Sequence, residues 1–161
     1  MELIVDNISK SIRGKVILED INLHMYSGKI YGFVGRNGSG KTMLLRALSG
    51  LMSVDAGLIT WDGKTLGKDF SVLPNLGIIL ENASLYPRLT GVENLSYLAD
   101  LTGKIGQEEI RRSISRVGLD PDDKRTYVKY SLGMKQRLAI AQAVMEHPDV
   151  IMLDEPTNGL D

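Results

Sequence analysis

Cysteine is absent from the 161-residue sequence, which excludes disulfide bonds and thiolate metal sites and is compatible with a reducing compartment. Net charge is nearly absent as well. Against 19 basic side chains stand 20 acidic ones, leaving −1, so the chain as a whole exerts no pull on phosphate backbones and nucleic acid is not expected as a partner. No apolar run approaches the ~18 to 20 residues of a membrane span. The opening MELIVDNISKS carries acids early and only the short apolar run LIV, unlike a secretory signal. Histidine is scarce, with only His24 and His147. What remains is an ordinary globular composition, 43% hydrophobic and 24% charged with 17 glycines and 5 prolines, at a length that suits one domain spanning 1–161.

Residues 2 to 34 read as strands: LIV, then VILEDINLHM with partial alternation, then KIYGFVG as an apolar run entering a Gly-rich turn. The first two resemble half-exposed antiparallel strands. A helix is expected to begin at Lys41, with Leu44, Leu45 and Leu48 on its inner face and Gly50 to end it. GLITWDGKTL reads as another strand with an Asp-Gly turn, and LGIIL, 76–80, as a strand leading into the loop ENASLYPR. Thr90 and Glu93 have capping-box spacing ahead of NLSYLADL, with Gly103 to close that helix. A second helix, QEEIRRSISRVG, stops near Gly118, and DPDD is a turn. On that helix Arg111 and Arg112 stand at pairing distance from Glu108 and Glu109, the pattern of a solvated face. A third helix, GMKQRLAIAQAVMEH, ends before Pro148, which feeds VIMLD as a buried strand. No repeat or low-complexity linker interrupts the series.

GRNGSGKT, residues 35–42, fits G-x-x-x-x-G-K-[ST] in full, with an apolar strand expected before it and a helix after. Gly35, Gly38 and Gly40 allow the backbone to wrap a phosphate so that successive N–H groups and the helix N-terminus face it. Lys41 supplies a point charge to the terminal phosphates, and the Thr42 hydroxyl suits Mg²⁺. In VIMLDE the strand carries Asp154 to the carboxyl edge of a sheet, where ligands of open α/β sheets bind. If the phosphate loop sits at the same edge, on a neighbouring strand, Asp154 would hold Mg²⁺ through water and Glu155 would orient or deprotonate the water that attacks the γ-phosphoryl group. Read alone, Asp-Glu after a strand is a plain strand end; the phosphate loop is what favours the metal reading.

With these pieces in place the sequence resembles the nucleotide-binding subunit of ATP-binding cassette transporters over nearly all of its length. YSLGMKQR, 130–137, stands where that family has its signature L-S-G-G-Q, and TNGLD, 157–161, matches the family's aspartate-bearing loop. The resemblance implies a phosphate-loop α/β fold: a RecA-like parallel sheet, an N-terminal antiparallel β part and an inserted helical subdomain at about 85–145. It implies that ATP with Mg²⁺ is held by Gly35, Arg36, Asn37, Gly38, Ser39, Gly40, Lys41, Thr42 and Met43. It also implies a homodimer or a paired ATPase subunit, in which Ser131 and Gly133 reach the nucleotide of the opposite subunit and Asp161 contacts the dimer partner. A transmembrane permease subunit completes the expected assembly, at the cytoplasmic face of the membrane. Without the family, Ser-Leu-Gly is a helix cap.

Three departures from the pattern stand out. Where most members stack an aromatic residue on adenine, in KSIRGK, this sequence has Ile12, which forfeits the ring-on-ring contribution. The signature keeps Ser131 and Gly133 but has Leu132 and Met134 in place of a glycine and the glutamine. The family loop that senses the permease usually opens with Gln, and here Glu81 stands there, a carboxylate near the metal. Together with LYPRLTGVENL and SLGMKQR, Glu81 gives a likeness to bacterial bacitracin- and lantibiotic-type peptide export or immunity subunits. The family also needs a switch histidine beyond the aspartate loop; His24 and His147 are read as local structural residues, so the sequence is expected to lack that histidine and the later sheet strands. Two other readings stay open: a nucleotide-binding module with little hydrolysis, and a non-transport cassette ATPase, which predicts tandem cassettes or basic insertions.

Overall fold

A computed structural model describes residues 1–80 and 85–156, arranged as two compact units, Met1–Pro74 and Asn75–Asp161. In the first, β1 (Glu2–Ile12), β2 (Lys15–Tyr26), β3 (Ala56–Trp61) and β4 (Lys64–Thr65) form an antiparallel sheet in the order β2-β1-β3-β4. β1 turns into β2 through Arg13 and Gly14, both left-handed at φ 50° and 78°, the conformation whose twist matches paired strands.

The buried residues of β1 are Leu3, Val5 and Ile8, a spacing that breaks the two-residue period. A bulge resolves the mismatch. Val5 faces Leu23 and Ile8 faces Ile21, so one extra residue in β1 returns Ile8 to the inner face. Asn7, at φ 49°, is part of it. Its N–H donates to Asn22 Oδ1 at 2.9 Å, and Asn22 Nδ2 donates to Asn7 Oδ1 at 3.0 Å, so side-chain amides take over where the strand ladder is broken.

The helix α1 (Lys41–Ser49) buries Leu44, Leu45, Ala47 and Leu48 and ends on Gly50, as its apolar spacing predicts. The strand expected just before the phosphate loop does not form. Residues 29–36 carry no regular structure, and Ile30 and Val34 are fully exposed at 101% and 99%. A strand exists only through its ladder partners, and no described residue pairs with this segment.

In the second unit β5 (Leu76–Ile79) and β6 (Val150–Leu153) pair in parallel. Between them run α2 (Gly91–Thr102), α3 (Gln107–Arg116), a single 3-10 turn (Tyr127–Lys129) and α4 (Leu132–Val144). Leu95, Ala99, Ile110, Ile114 and Leu138 are fully or almost fully buried in one cluster. On β5, Gly77 lies so close to the Ala143 carbonyl and to Pro148 that a side chain there would overlap both, which seats α4 directly on the sheet. The predicted capping box is present: Thr90 Oγ1 accepts from Glu93 N at 3.3 Å and Glu93 Oε2 accepts from Thr90 N at 2.7 Å. The solvated pairs of α3 are also present, Arg112 meeting Glu108 at 2.9 Å and Glu109 at 3.1 Å.

Candidate functional site

The first unit carries the phosphate loop. Gly38 and Gly40 are left-handed at φ 79° and 94°, which a residue with a side chain adopts only at a cost. Gly40 also needs its small size, because a Cβ there would lie 3.0 Å from the Ile17 carbonyl of β2. This glycine is the N-cap of α1, so the loop's last residue is seated on the sheet and the unpaired N–H groups of the helix start at a defined place. Lys41, the first helical residue, folds back over the loop. Its ammonium donates to the carbonyls of Gly35 at 2.9 Å and Arg36 at 3.2 Å, and Ser39 N donates to Arg36 O at 3.1 Å. The loop is thereby closed on itself with a fixed positive charge across it. Arg36, Asn37 and Ser39 are exposed, and Lys41, Thr42 and Met43 are half-buried. Ile12 ends β1 opposite Lys15, half-exposed at 38%, two residues along β2 from the Ile17 carbonyl beside Gly40.

The second unit carries the acids and the signature turn. Asp154 follows β6; its N–H donates to Ile79 O at 2.9 Å, continuing the parallel ladder to the carboxyl edge of both strands. The Asp154 residue is buried, at 8% exposure, and Glu155 is exposed. Glu155 is left-handed at φ 46°, a conformation costing about 1 kcal/mol that turns the chain sharply out of the strand. Ser131 caps α4, its Oγ accepting from Met134 N at 3.2 Å. Gly133 lies in the first turn of the same helix, half-buried, and its carbonyl accepts from Arg137 Nε at 3.4 Å. Glu81 and Asp161 lie outside the described residues, as does the rest of TNGLD.

One residue that braces the candidate elements had no clear mark in the sequence. Gln136 of α4 is buried and donates from Nε2 to the Pro156 carbonyl at 3.1 Å, tying the signature helix to the turn that follows the two acids. A glutamine two positions after Met134 resembles any polar residue of a helix; only burial distinguishes it. The two histidines occupy local pairs, His24 with Glu2 at 2.8 Å and with the Tyr26 hydroxyl at 3.2 Å, and His147 with Glu109 at 3.0 Å. Among the described residues no helix is long and apolar enough to cross a membrane.

A family profile described as ABC transporter matches residues 18–158. This chain belongs to the ABC transporter family. The cassette is 47% identical over 155 residues to the uncharacterized ABC transporter ATP-binding protein YybJ of Bacillus subtilis, covering 96% of this chain and 71% of that protein. It is 38% identical to the bacitracin transport ATP-binding protein BcrA of Enterococcus faecalis, over 100% of this chain and 53% of BcrA. With the lantibiotic transport ATP-binding protein SrtF of Streptococcus pyogenes it shares 36% identity over 98% of this chain and 67% of SrtF. Against several relatives the chain spans only about half of their length. Its fold matches a solved cassette described as the dimeric structure of MJ0796, with a TM-score of 0.82, 22% identity, and 99% of this chain and 76% of that one covered. The expected likeness to bacitracin- and lantibiotic-type subunits and the expected phosphate-loop α/β fold are both borne out.

Proposed function

We propose that this cassette binds Mg-ATP and hydrolyses it to power export of a peptide antibiotic or a similar compound through a transmembrane permease. The observation that carries this reading is the closed phosphate loop, with Lys41 bridging the Gly35 and Arg36 carbonyls and the N-terminus of α1 behind it. Lys41 meets the terminal phosphates, and residues 35–43 wrap them. The Thr42 hydroxyl and the Asp154 carboxylate are hard oxygen donors of the type Mg²⁺ takes, with Glu81 a third; the ion's contribution is to neutralise charge on the phosphate oxygens. Glu155 accepts a proton from the attacking water as its oxygen bonds to the γ-phosphorus and the bond to ADP breaks. Ser131 and Gly133 contact the nucleotide held by a second cassette, with Asp161 at the dimer contact. Names of relatives support the transported class, and attachment to a permease places the cassette at the cytoplasmic face of the membrane.

The test compares fluorescent ATP binding and phosphate release in three proteins. Lys41→Ala is expected to lose most nucleotide affinity, at least about tenfold, because a charge-assisted contact to phosphate disappears. Glu155→Gln is expected to bind ATP as the parent does and to retain it unhydrolysed. Equal affinity in the Lys41 variant overturns the site. Full turnover in the Glu155 variant overturns its role as base.

A further inference from the structure

The inner face of the antiparallel sheet continues to the tip of the β1–β2 hairpin and grows more polar on the way. Along β1 that face carries Leu3, Val5 and Ile8, all buried, then Lys10, whose side chain is 16% exposed, and last Ile12 at 38%. The register extends the same face onto β2. Lys10 stands opposite Leu18 and Ile12 opposite Lys15, and residues directly opposite one another in a ladder share a face. The offset between these two pairs is taken up in β2, where Val16 faces Ser11, so β1 keeps its two-residue alternation from Lys10 to Ile12.

Leu18 joins this face to the phosphate loop. Its Cδ2 lies 3.6 Å from where a Cβ on Gly40 would sit, and Gly40 is the N-cap of α1, directly before Lys41. Ile12 and Lys15 therefore carry the face that meets the start of α1 onward to the hairpin tip. The two lysines on the face differ in their surroundings. Lys10 is neutralised by Asp55 at 2.6 Å, whereas Lys15 is exposed and has no ion-pair partner among the described residues. Three residues of strand separate Lys15 from Leu18, about 10 Å at the usual rise. A lysine's four-carbon stem spans about 6 Å of that interval when it lies back along the strand. Its ammonium then stands between Ile12 and the loop, where the sugar end of a nucleotide lies when the base is beside Ile12 and the terminal phosphates are in the loop.

We propose that Lys15 is a further nucleotide-binding residue, its ammonium pairing with the phosphate nearest the sugar. This role rests on the reading of residues 35–43 and Ile12 as an ATP site. It gives the hairpin tip a charged hold on the nucleotide where the aliphatic Ile12 supplies no stacking.

The experiment is calorimetric titration of Mg-ATP and Mg-ADP into the full chain and three variants. Lys15→Gln is expected to weaken ATP and ADP by the same factor, about threefold to tenfold, because both carry the phosphate nearest the sugar and each loses one charge-assisted contact. Lys15→Arg keeps the charge and is expected to keep the parent's affinity. Arg13→Gln removes an equal charge from the turn itself, where Arg13 is left-handed at φ 50°, and is expected to change affinity far less. The gap between the parent and Lys15→Gln narrows as salt is raised, since an exposed charge pair is screened. Unchanged affinity in Lys15→Gln overturns the proposal. A loss confined to ATP overturns it too, since the contact is then with a terminal phosphate, and so does an equal loss in Arg13→Gln, which marks a diffuse field rather than a contact. If the parent itself binds neither nucleotide, the reading of the ATP site fails and Lys15 with it; binding by the parent with no change in Lys15→Gln removes Lys15 alone.

Discussion

Lys41 has two tasks that a loop with a neutral residue there cannot share. Its charge crosses the loop, and its bonds to the Gly35 and Arg36 carbonyls hold the loop's first residues against the start of α1. Binding a phosphate then requires little reorganisation, since the donors are already fixed. On the proposed reading of the site, Ile12 is the residue of the same unit that would face the base. Its side chain is half-exposed at the end of a hairpin, and an aliphatic group gives a base none of the stacking that an aromatic ring gives. Ile12→Tyr is therefore expected to tighten ATP binding about threefold to tenfold, the equivalent of the ~0.5–1.5 kcal/mol of an aromatic pair. Titration of fluorescent ATP against both proteins measures it, and an unchanged or weakened affinity removes Ile12 from the base site.

The start of α2 shows how one turn of helix can be made pH-sensitive. The Glu93 carboxylate accepts from the Thr90 N–H and from its hydroxyl side, and these hydrogen bonds hold it below its ordinary value of 4.5. A carboxylate lowered on folding adds stability above its unfolded value and loses that addition as pH falls through the folded one. The capping box is thus intact at neutral pH and fails in acid, below about pH 4.5. Glu93→Gln keeps an acceptor for the Thr90 N–H and removes the titration. Its urea midpoint is expected to fall less steeply than the parent's on acidification below that range, while differing little at pH 7. Parallel slopes in the two proteins count against the assignment. Asp55, lowered by its bonds to Lys10 and the Ser11 N–H, contributes in the same direction and is common to both.

The molecule as a whole exposes apolar surface that an isolated soluble domain ordinarily covers. Ile30 and Val34 are bare and Tyr31 is 43% exposed, in a segment with no ladder partner among the described residues. Apolar side chains clustered in this way favour association. The chain is expected to self-associate as its concentration rises, to bind a hydrophobic dye, and to do less of both in Ile30→Ser. Static light scattering across a concentration series checks this, and a monomer throughout the series contradicts it.

Most elements and the phosphate loop were legible along the chain because local chemistry decides them. Gly38 and Gly40 admit backbone angles closed to other residues, Thr90 and Glu93 cap one another within a single turn, and the apolar spacing of α1 permits only one inner face. The acid pair after VIML was legible as an apolar run ending in charge, but the burial expected of that strand is not found: Met152 is buried while Ile151 is 48% exposed. The residues that only the folded chain reveals draw their meaning from partners distant in sequence. Gln136 matters through the Pro156 carbonyl and Asn94 through four contacts to the 86–90 loop. The one element misjudged, the strand before the phosphate loop, failed on the same ground. An apolar run states that a segment suits a sheet, but hydrogen-bonded neighbours decide whether it becomes a strand. The sequence by itself determined which residues the proposed chemistry of the loop and the acids would draw on, since that depends on residue type and spacing; tertiary structure decided which buried polar groups brace the chain around them, since a buried hydrogen bond exists only when both partners arrive.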